Sequence, residues 1–182
     1  MDTNLTPGTR VERYEIEGLL GEGGTASVYR VRHTALGTRH ALKVLRRPSI
    51  GVQRRLLLEG RVQAHLRHQN IVAVTDVIQL QLGTGLVLDL VDGPTLATML
   101  ERERLSIPGA DAVADGLFRG IAFAHDQGLV HRDLKPENVL LERLGEQVVP
   151  KVTDFGLVKL SDDQPERPLG RTMGTPRYMA PE

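Results

Sequence analysis

The sequence of 182 residues contains no cysteine. Disulfides, thiolate catalysis and cysteine-ligated zinc are therefore excluded. Net charge is also absent, since 23 lysines and arginines balance 23 aspartates and glutamates. Nothing in that balance points to nucleic acid or to an anionic membrane surface. Six histidines are present, but none falls in a His-x-x-x-His or His-Glu-x-x-His spacing that would suggest a metal site. Long hydrophobic runs are missing as well. A membrane-spanning helix needs about 20 apolar residues in succession, and every candidate here is broken by charges within a few positions. The start, Met1-Asp2-Thr3-Asn4, lacks the basic and apolar regions of a secretory signal. The expected location is cytoplasmic, although a full-length product could be membrane-anchored elsewhere.

What is present is ordinary for a soluble globular domain: 40% apolar and 25% charged residues, in a chain long enough for one real core. Residues 1–11 are polar, contain Pro7-Gly8, and read as a loose tail. Residues 14–45 alternate like strands. Val28, Arg30 and Arg32 interleave with Tyr29 and Val31, and Ala41, Lys43 and Leu45 share one face opposite Leu42 and Val44. Helical spacing over residues 52–66 lines up Val52, Leu56, Glu59, Gln63 and Leu66. A carboxylate on such a stripe needs a partner if it is buried. Residues 71–82 and 86–91 read as strands, Asp92-Gly93-Pro94 as a break, and residues 95–104 as a short helix. Pro108 opens a longer helix with an apolar stripe of Ala110, Val113, Ala114, Leu117, Ile121 and Ala124, ending near Gln127-Gly128. Strands at 139–141 and 148–152 follow, joined by a turn at Gly145-Glu146. Residues 153–182 contain four prolines and little periodicity, and loops of that length are commonly functional or disordered.

Five segments carry chemistry. In Leu20-Gly21-Glu22-Gly23-Gly24-Thr25-Ala26-Ser27-Val28, glycines let backbone amides approach a phosphate. The segment joins two strands, which argues against dinucleotide and Walker-type loops, since both feed a helix. A glycine-rich hairpin is by itself commonly no more than a hairpin. On the strand after it, Lys43 shares a face with Ala41, which leaves room for a flat ring while the lysine reaches phosphates. Glu59 is its natural partner, with a purely structural ion pair as the plainer reading. In His131-Arg132-Asp133-Leu134-Lys135-Pro136-Glu137-Asn138, the aspartate, lysine and asparagine can supply a base, a phosphate contact and a metal ligand. Asp154-Phe155-Gly156 places a carboxylate at a strand end, a good magnesium ligand when phosphate oxygens complete the octahedron. Gly174-Thr175-Pro176-Arg177-Tyr178-Met179-Ala180-Pro181-Glu182 closes the long loop.

Taken in order, these segments resemble the signature set of eukaryotic-type (Hanks-type) serine/threonine protein kinases, with a bacterial flavour near Gly21. The likeness runs over about residues 12–182. It implies an α+β, two-lobed kinase-like fold. The tail would span 1–11. A complete smaller lobe, an antiparallel sheet plus one helix, would span 12–91, and a partial, mainly helical larger lobe 92–182. It implies ATP and Mg²⁺ as cofactors, and phosphoryl transfer to serine or threonine hydroxyls of proteins. Residues 20–28 would cover the phosphates. Lys43 would contact the α- and β-phosphates and pair with Glu59. Asp133 would orient and deprotonate the hydroxyl, and Asn138 and Asp154 would hold magnesium. Val28, Ala41 and Leu140 would sandwich the adenine. Leu88 falls at the gatekeeper position, with Asp89 and Val91 offering backbone hydrogen bonds. Lys135 and the segment from Gly174 favour serine/threonine specificity, with Thr175 touching Asp133 and Lys135. Arg132 would meet a phosphate on Thr172, with Ser161 as second choice, through autophosphorylation.

The departures from the family pattern are Ala26 for glycine, Gln69 for proline, Asp89-Leu90 in the hinge, and Gln63 where an apolar residue is usual. Family domains run to roughly 250–300 residues, so truncation after Ala-Pro-Glu is expected. The long helix would then carry an uncovered apolar face. If the polypeptide truly stops at Glu182, the alternative is a non-catalytic nucleotide-binding or interaction module. An aminoglycoside- or choline-type phosphotransferase is disfavoured by Lys135 and by the closing segment.

Overall fold

Strand alternation over residues 14–45 builds the middle of a six-stranded sheet. A computed structural model of the chain describes residues 5–23, 26–46, 50–80, 83–145, 147–155 and 175–178, with the side chains of 50, 52, 54, 55, 58, 59 and 176 left out. Contacts divide the chain into two units, residues 1–65 with 73–90, and residues 66–72 with 91–182. This division is interleaved, and differs from the single boundary after residue 91 that the sequence suggests.

In the first unit the strands are β1 (Arg10–Val11), β2 (Tyr14–Glu22), β3 (Ala26–His33), β4 (Arg39–Leu45), β5 (Val74–Leu80) and β6 (Gly83–Asp89). They lie in the order β1-β2-β3-β4-β6-β5, each antiparallel to its neighbour. Period-two alternation sends Tyr14, Ile16, Tyr29, Val31, Leu42, Val44, Ile78 and Val87 into one buried cluster. Two irregularities of register in β2, at Ile16/Gly18 and Leu19/Gly21, mark bulges of the kind that increase local twist. The sheet curls until its two ends meet. Arg13 and Tyr14, beside the β1–β2 turn, donate to the Asp76 carboxylate on β5, at 2.9 Å (Nε) and 3.0 Å (Oη). Glu12 Oε1 accepts the Gln79 backbone N–H at 2.6 Å. Burial, followed by the bond to Asp76, pushes the Tyr14 phenol up to about 12.

This closure corrects the expected tail. From residue 5 onward the N-terminal segment is built into the unit: Arg10–Val11 pair with β2, and Leu5 and Val11 pack on the core. The sequence shows only a polar stretch there, and the core on which Leu5 and Val11 pack includes Ile78 of β5 and Val87 of β6, more than sixty residues away. Helix α1 (Ile50–Gln63) starts two residues earlier than predicted and ends three earlier. The strands predicted at 71–82 and 86–91 appear as β5 and β6, each shifted toward its N-terminal or central part.

In the second unit, α2 (Leu96–Arg102) is capped by Thr95, whose hydroxyl accepts the Thr98 N–H at 3.0 Å. Helix α3 (Ile107–Asp126) is capped by Ser106, which accepts from Gly109 N–H at 3.2 Å, and Pro108 lies in its first turn. Gly128, with φ of +74°, ends it in the left-handed conformation that favours glycine. Strands β7 (Val139–Leu144) and β8 (Gln147–Val152) form a hairpin, with Leu96, Val113, Val139 and Leu141 in one cluster and Leu66, Ile71, Ala124, Val152 and Phe155 in another.

The buried face of α3 departs from the predicted stripe. Val113 and Ala124 are buried and Leu117 and Ile121 partly so, but Ala110 is exposed and Ala114 only half-buried. Gly116 and Gly120 point inward instead, because Asn70 lies against them. A Cβ on Gly120 would stand 2.9 Å from the Asn70 carbonyl oxygen, and one on Gly116 2.5 Å from Pro150 Cγ. Asn70 in turn holds β8. Its carbonyl accepts from Val152 N–H at 2.8 Å, and its Nδ2 donates to Pro150 O at 2.8 Å. Gly120→Ala should therefore overpack this contact and lower stability by about 1–3 kcal/mol, measured by urea unfolding. An unchanged midpoint would show that Asn70 is not wedged against α3.

Candidate active site

In the first unit, the hairpin predicted to cover phosphates joins β2 to β3. Gly23 N–H donates to Ala26 O at 2.8 Å across the turn, and Gly24 and Thr25 lie outside the described residues. Leu20, Gly21, Glu22 and Gly23 are exposed, whereas Ala26 and Ser27 are buried. Glu22 pairs with Arg46 at 2.7 Å. Register then does what the sequence could only suggest. Val28 lies directly opposite Lys43, and Lys43 opposite Leu86, while Ala41 faces Leu88. Directly opposed residues share a face, so Val28, Ala41, Lys43 and Leu88, the predicted gatekeeper, lie together. Lys43 is buried, at 8% exposure, which is uncommon for a lysine. Glu59 lies in α1, with its side chain outside the description. Asp89, at the end of β6, donates its N–H to Ala73 O at 3.0 Å, so any backbone contact of Asp89 with a ligand must come from its carbonyl.

The second unit contains the remaining residues. Val91 is half-buried, and Leu140 is half-buried on β7 opposite Lys151. Between α3 and β7 the polar loop ends in one 3-10 turn, Pro136–Asn138. Asp133 is the focus of that loop. Lys135 Nζ lies 2.9 Å from its Oδ2. Thr175 gives two donors to Oδ1, its N–H at 3.0 Å and its hydroxyl at 2.9 Å. Lys135 also donates to the Thr175 hydroxyl at 3.2 Å, closing a triangle. Burial acts to raise the Asp133 carboxyl. Hydrogen bonds from Lys135 and Thr175, with the lysine's charge, outweigh it and hold the group below its ordinary value.

The two predicted magnesium ligands lie between Lys135 and Thr175 in sequence. Asn138 is buried, and its Nδ2 donates to the Asp133 carbonyl at 2.8 Å, which leaves Oδ1 as the amide's acceptor end. Asp154 has φ of +66°, a backbone state rare for a residue with a side chain, and its Oδ1 accepts from the Thr153 hydroxyl at 3.4 Å. Both offer oxygen, the donor magnesium prefers, and that ion commonly takes one or two carboxylates plus phosphates and water. The donor set therefore fits. Among the described residues no group of three or more histidine, cysteine or carboxylate side chains is placed to hold a metal ion by itself.

His131 had no role in the sequence reading, and the structure supplies one. Its Nδ1 accepts the Asp133 N–H at 3.3 Å, so Nε2 bears the hydrogen and donates to Thr153 O at 2.8 Å. Its ring lies 4.7 Å from that of Phe155. One imidazole thus ties the Asp133 loop to the residue preceding Asp154. Its place two residues before the aspartate was the available signal. Arg132, with φ of +69°, is exposed. Gly156, Ser161, Thr172, Gly174 and residues 179–182 lie outside the described residues.

Residues 14–182 match the family model described as protein kinase domain. The chain belongs to the eukaryotic-type protein kinase family. The chain is 41% identical over 187 aligned residues to the DNA damage-responsive serine/threonine-protein kinase RqkA of Deinococcus radiodurans, covering 98% of the chain and 27% of the relative. It is 37% identical to the serine/threonine-protein kinase PknA of Mycobacterium tuberculosis, covering 93% and 41%. The crystal structure of the Mycobacterium tuberculosis PknI kinase domain superposes with a TM-score of 0.71 at 29% identity, covering 85% of this chain and 64% of that one. The chain thus has a kinase-like fold and spans well under half the length of these curated relatives. No helix among the described residues is long and apolar enough to cross a membrane.

Burial lowers the His131 pKa below the ordinary histidine value, against the bond to Thr153. Burial also lowers that of His68, aided by Arg119 and Lys151. Unfolded histidines take up protons near pH 6.5, while these folded ones resist. The stability they contribute is present above that pH and lost as pH falls toward their folded values. Imidazole NMR should show His131 titrating below 6.5, with the melting temperature declining from pH 7 to pH 5. A His131 midpoint at or above 6.5 would contradict the neutral, Thr153-bonded ring.

Proposed function

We propose that this kinase transfers the γ-phosphoryl group of ATP to serine or threonine hydroxyls of proteins. The observation that carries the reading is the Asp133 carboxylate, held ionised by Lys135 and Thr175. Phosphoryl transfer demands little covalent chemistry from a protein. It needs an in-line nucleophile and cations near the phosphates. An ionised Asp133 accepts a hydrogen bond from the acceptor hydroxyl, aims its oxygen at the γ-phosphorus, and receives the proton as the new P–O bond forms and the bond to the β-phosphate oxygen breaks. Lys135 neutralises transferring oxygens, and Thr175 keeps the carboxylate oriented.

Lys43 supplies positive charge to the α- and β-phosphates, paired with Glu59. Residues 20–28 cover the phosphates with backbone amides. Val28 and Ala41 lie against the adenine, joined by Leu140, with Asp89 and Val91 as backbone partners. Asn138 and Asp154 hold Mg²⁺, which when bound neutralises phosphate charge. Serine/threonine preference is supported by Lys135 and by relatives named as serine/threonine kinases. A phosphate on Thr172, made by the kinase itself, would be met by Arg132.

Asp133→Asn keeps the shape of the side chain and removes the proton acceptor. It should lower transfer from Mg-ATP, to itself or to a generic protein acceptor, by about 10²–10⁴-fold, with ATP binding changed little. Undiminished transfer in this variant would refute the assignment. Lys43→Met should instead weaken ATP binding, measured by calorimetry, and unaltered affinity would remove Lys43 from the nucleotide site.

A further inference from the structure

Glycine weakens a helix interior relative to alanine, so Gly60 near the end of α1 calls for a packing reason. The reason lies in the sheet beneath it. A Cβ at position 60 would stand 2.6 Å from Leu86 Cδ2 and 3.7 Å from Val77 Cγ2. A contact of 2.6 Å is shorter than real Cβ atoms tolerate, so helix or leucine would have to shift. Leu86 is 1% exposed and lies in close-packed surroundings, where a displaced methyl group meets other atoms. The shift must therefore be shared between the end of that leucine side chain and the helix resting on it.

Leu86 is also the direct cross-strand neighbour of Lys43 on β4, and of Val77 on β5. Gly60 itself immediately follows Glu59. The point where α1 leaves no space for a methyl group is thus one residue from the proposed carboxylate partner and one strand from the proposed phosphate-binding lysine. Helix and lysine are gauged against the same buried side chain.

We propose that Gly60 is a positioning residue for phosphoryl transfer: by lacking a side chain it seats α1 on Leu86 at the depth that brings Glu59 to Lys43. This rests on the reading of Lys43 and Glu59 as partners at the nucleotide site. Gly60 touches neither nucleotide nor acceptor. Its effect passes through the helix, and the volume at position 86 must compensate the volume at position 60.

The test is a size-exchange series in the full polypeptide. Gly60→Ala should lower kcat/KM by tenfold or more and speed amide hydrogen exchange in the last turns of α1 in the nucleotide-free protein. Leu86→Val deletes the offending Cδ2. Added to Gly60→Ala, it should bring the exchange rates back and return kcat/KM to within threefold of the parent. In a Glu59→Gln background, Gly60→Ala should cost less than a further twofold, since the partner it positions is already disabled. A tenfold additional loss there, or a double variant no better than Gly60→Ala, would mean general destabilisation and overturn the proposal. If Gly60→Ala alone does not fold, recovery of folding and transfer by Leu86→Val supports the proposal, and failure of both to recover overturns it. Lys43→Met separates the two readings. Intact ATP binding and transfer in that variant would sink the assignment of Lys43. Loss there, with Gly60→Ala indistinguishable from the parent, would sink the Gly60 inference alone.

Discussion

The Asp133 carboxylate depends on two neighbours that come from different directions in the sequence. Lys135 arrives from the same short loop. Thr175 arrives from forty-two residues further on, with both its N–H and its hydroxyl directed at Oδ1. A partly buried carboxylate without such donors would drift toward its neutral form, and a protonated Asp133 could neither orient a hydroxyl nor take its proton. Because Lys135 bonds to Thr175 as well, each member fixes the other two. The remainder of the second unit reads as support for that triangle. Asn138 holds the Asp133 carbonyl, Asn138 O accepts from Thr153 N–H, and His131 accepts from Asp133 N–H while donating to Thr153 O. Asn70 then fixes β8, the strand that leads into Thr153 and Asp154. The chain of contacts runs from a helix with two inward-facing glycines to the strand, and from the strand to the loop.

The first unit solves a different problem with different means. A buried lysine needs its stem enclosed by apolar surface and its charge directed to one place. Cross-strand register provides the enclosure, with Val28 and Leu86 directly beside Lys43. The sheet that sets this register is itself closed on its far side by Arg13, Tyr14 and Glu12 against β5. An edge strand with open N–H groups invites wrong pairing, and Glu12 occupies one of those groups on β5.

Local spacing made much of this legible. Alternation in residues 26–45 placed Lys43 and Ala41 on one face before any register was known, and the order of five motifs pointed to the family. The spacing within residues 131–138 brought Asp133, Lys135 and Asn138 into one loop. What stayed hidden depends on partners distant in sequence. Residues 5–11 look like a tail because the core on which Leu5 and Val11 pack draws on β5 and β6. Ala110 and Ala114 look like core positions because a helical stripe counts apolar side chains, whereas Gly116 and Gly120 are inward-facing for having none. Nothing local marks Asn70 as their counterpart. His131 was visible in the motif, but its bond to Thr153 is a tertiary fact.

Lys135 and Thr175 act together on one carboxylate. The direct measurement is a double-mutant cycle on kcat for transfer from Mg-ATP, with Lys135→Met, Thr175→Val and the two combined. Groups that work as a unit give non-additive losses, so the double variant should lose far less than the product of the two single losses. Losses that multiply would mean that Lys135 and Thr175 act independently, and would contradict the shared hold on Asp133.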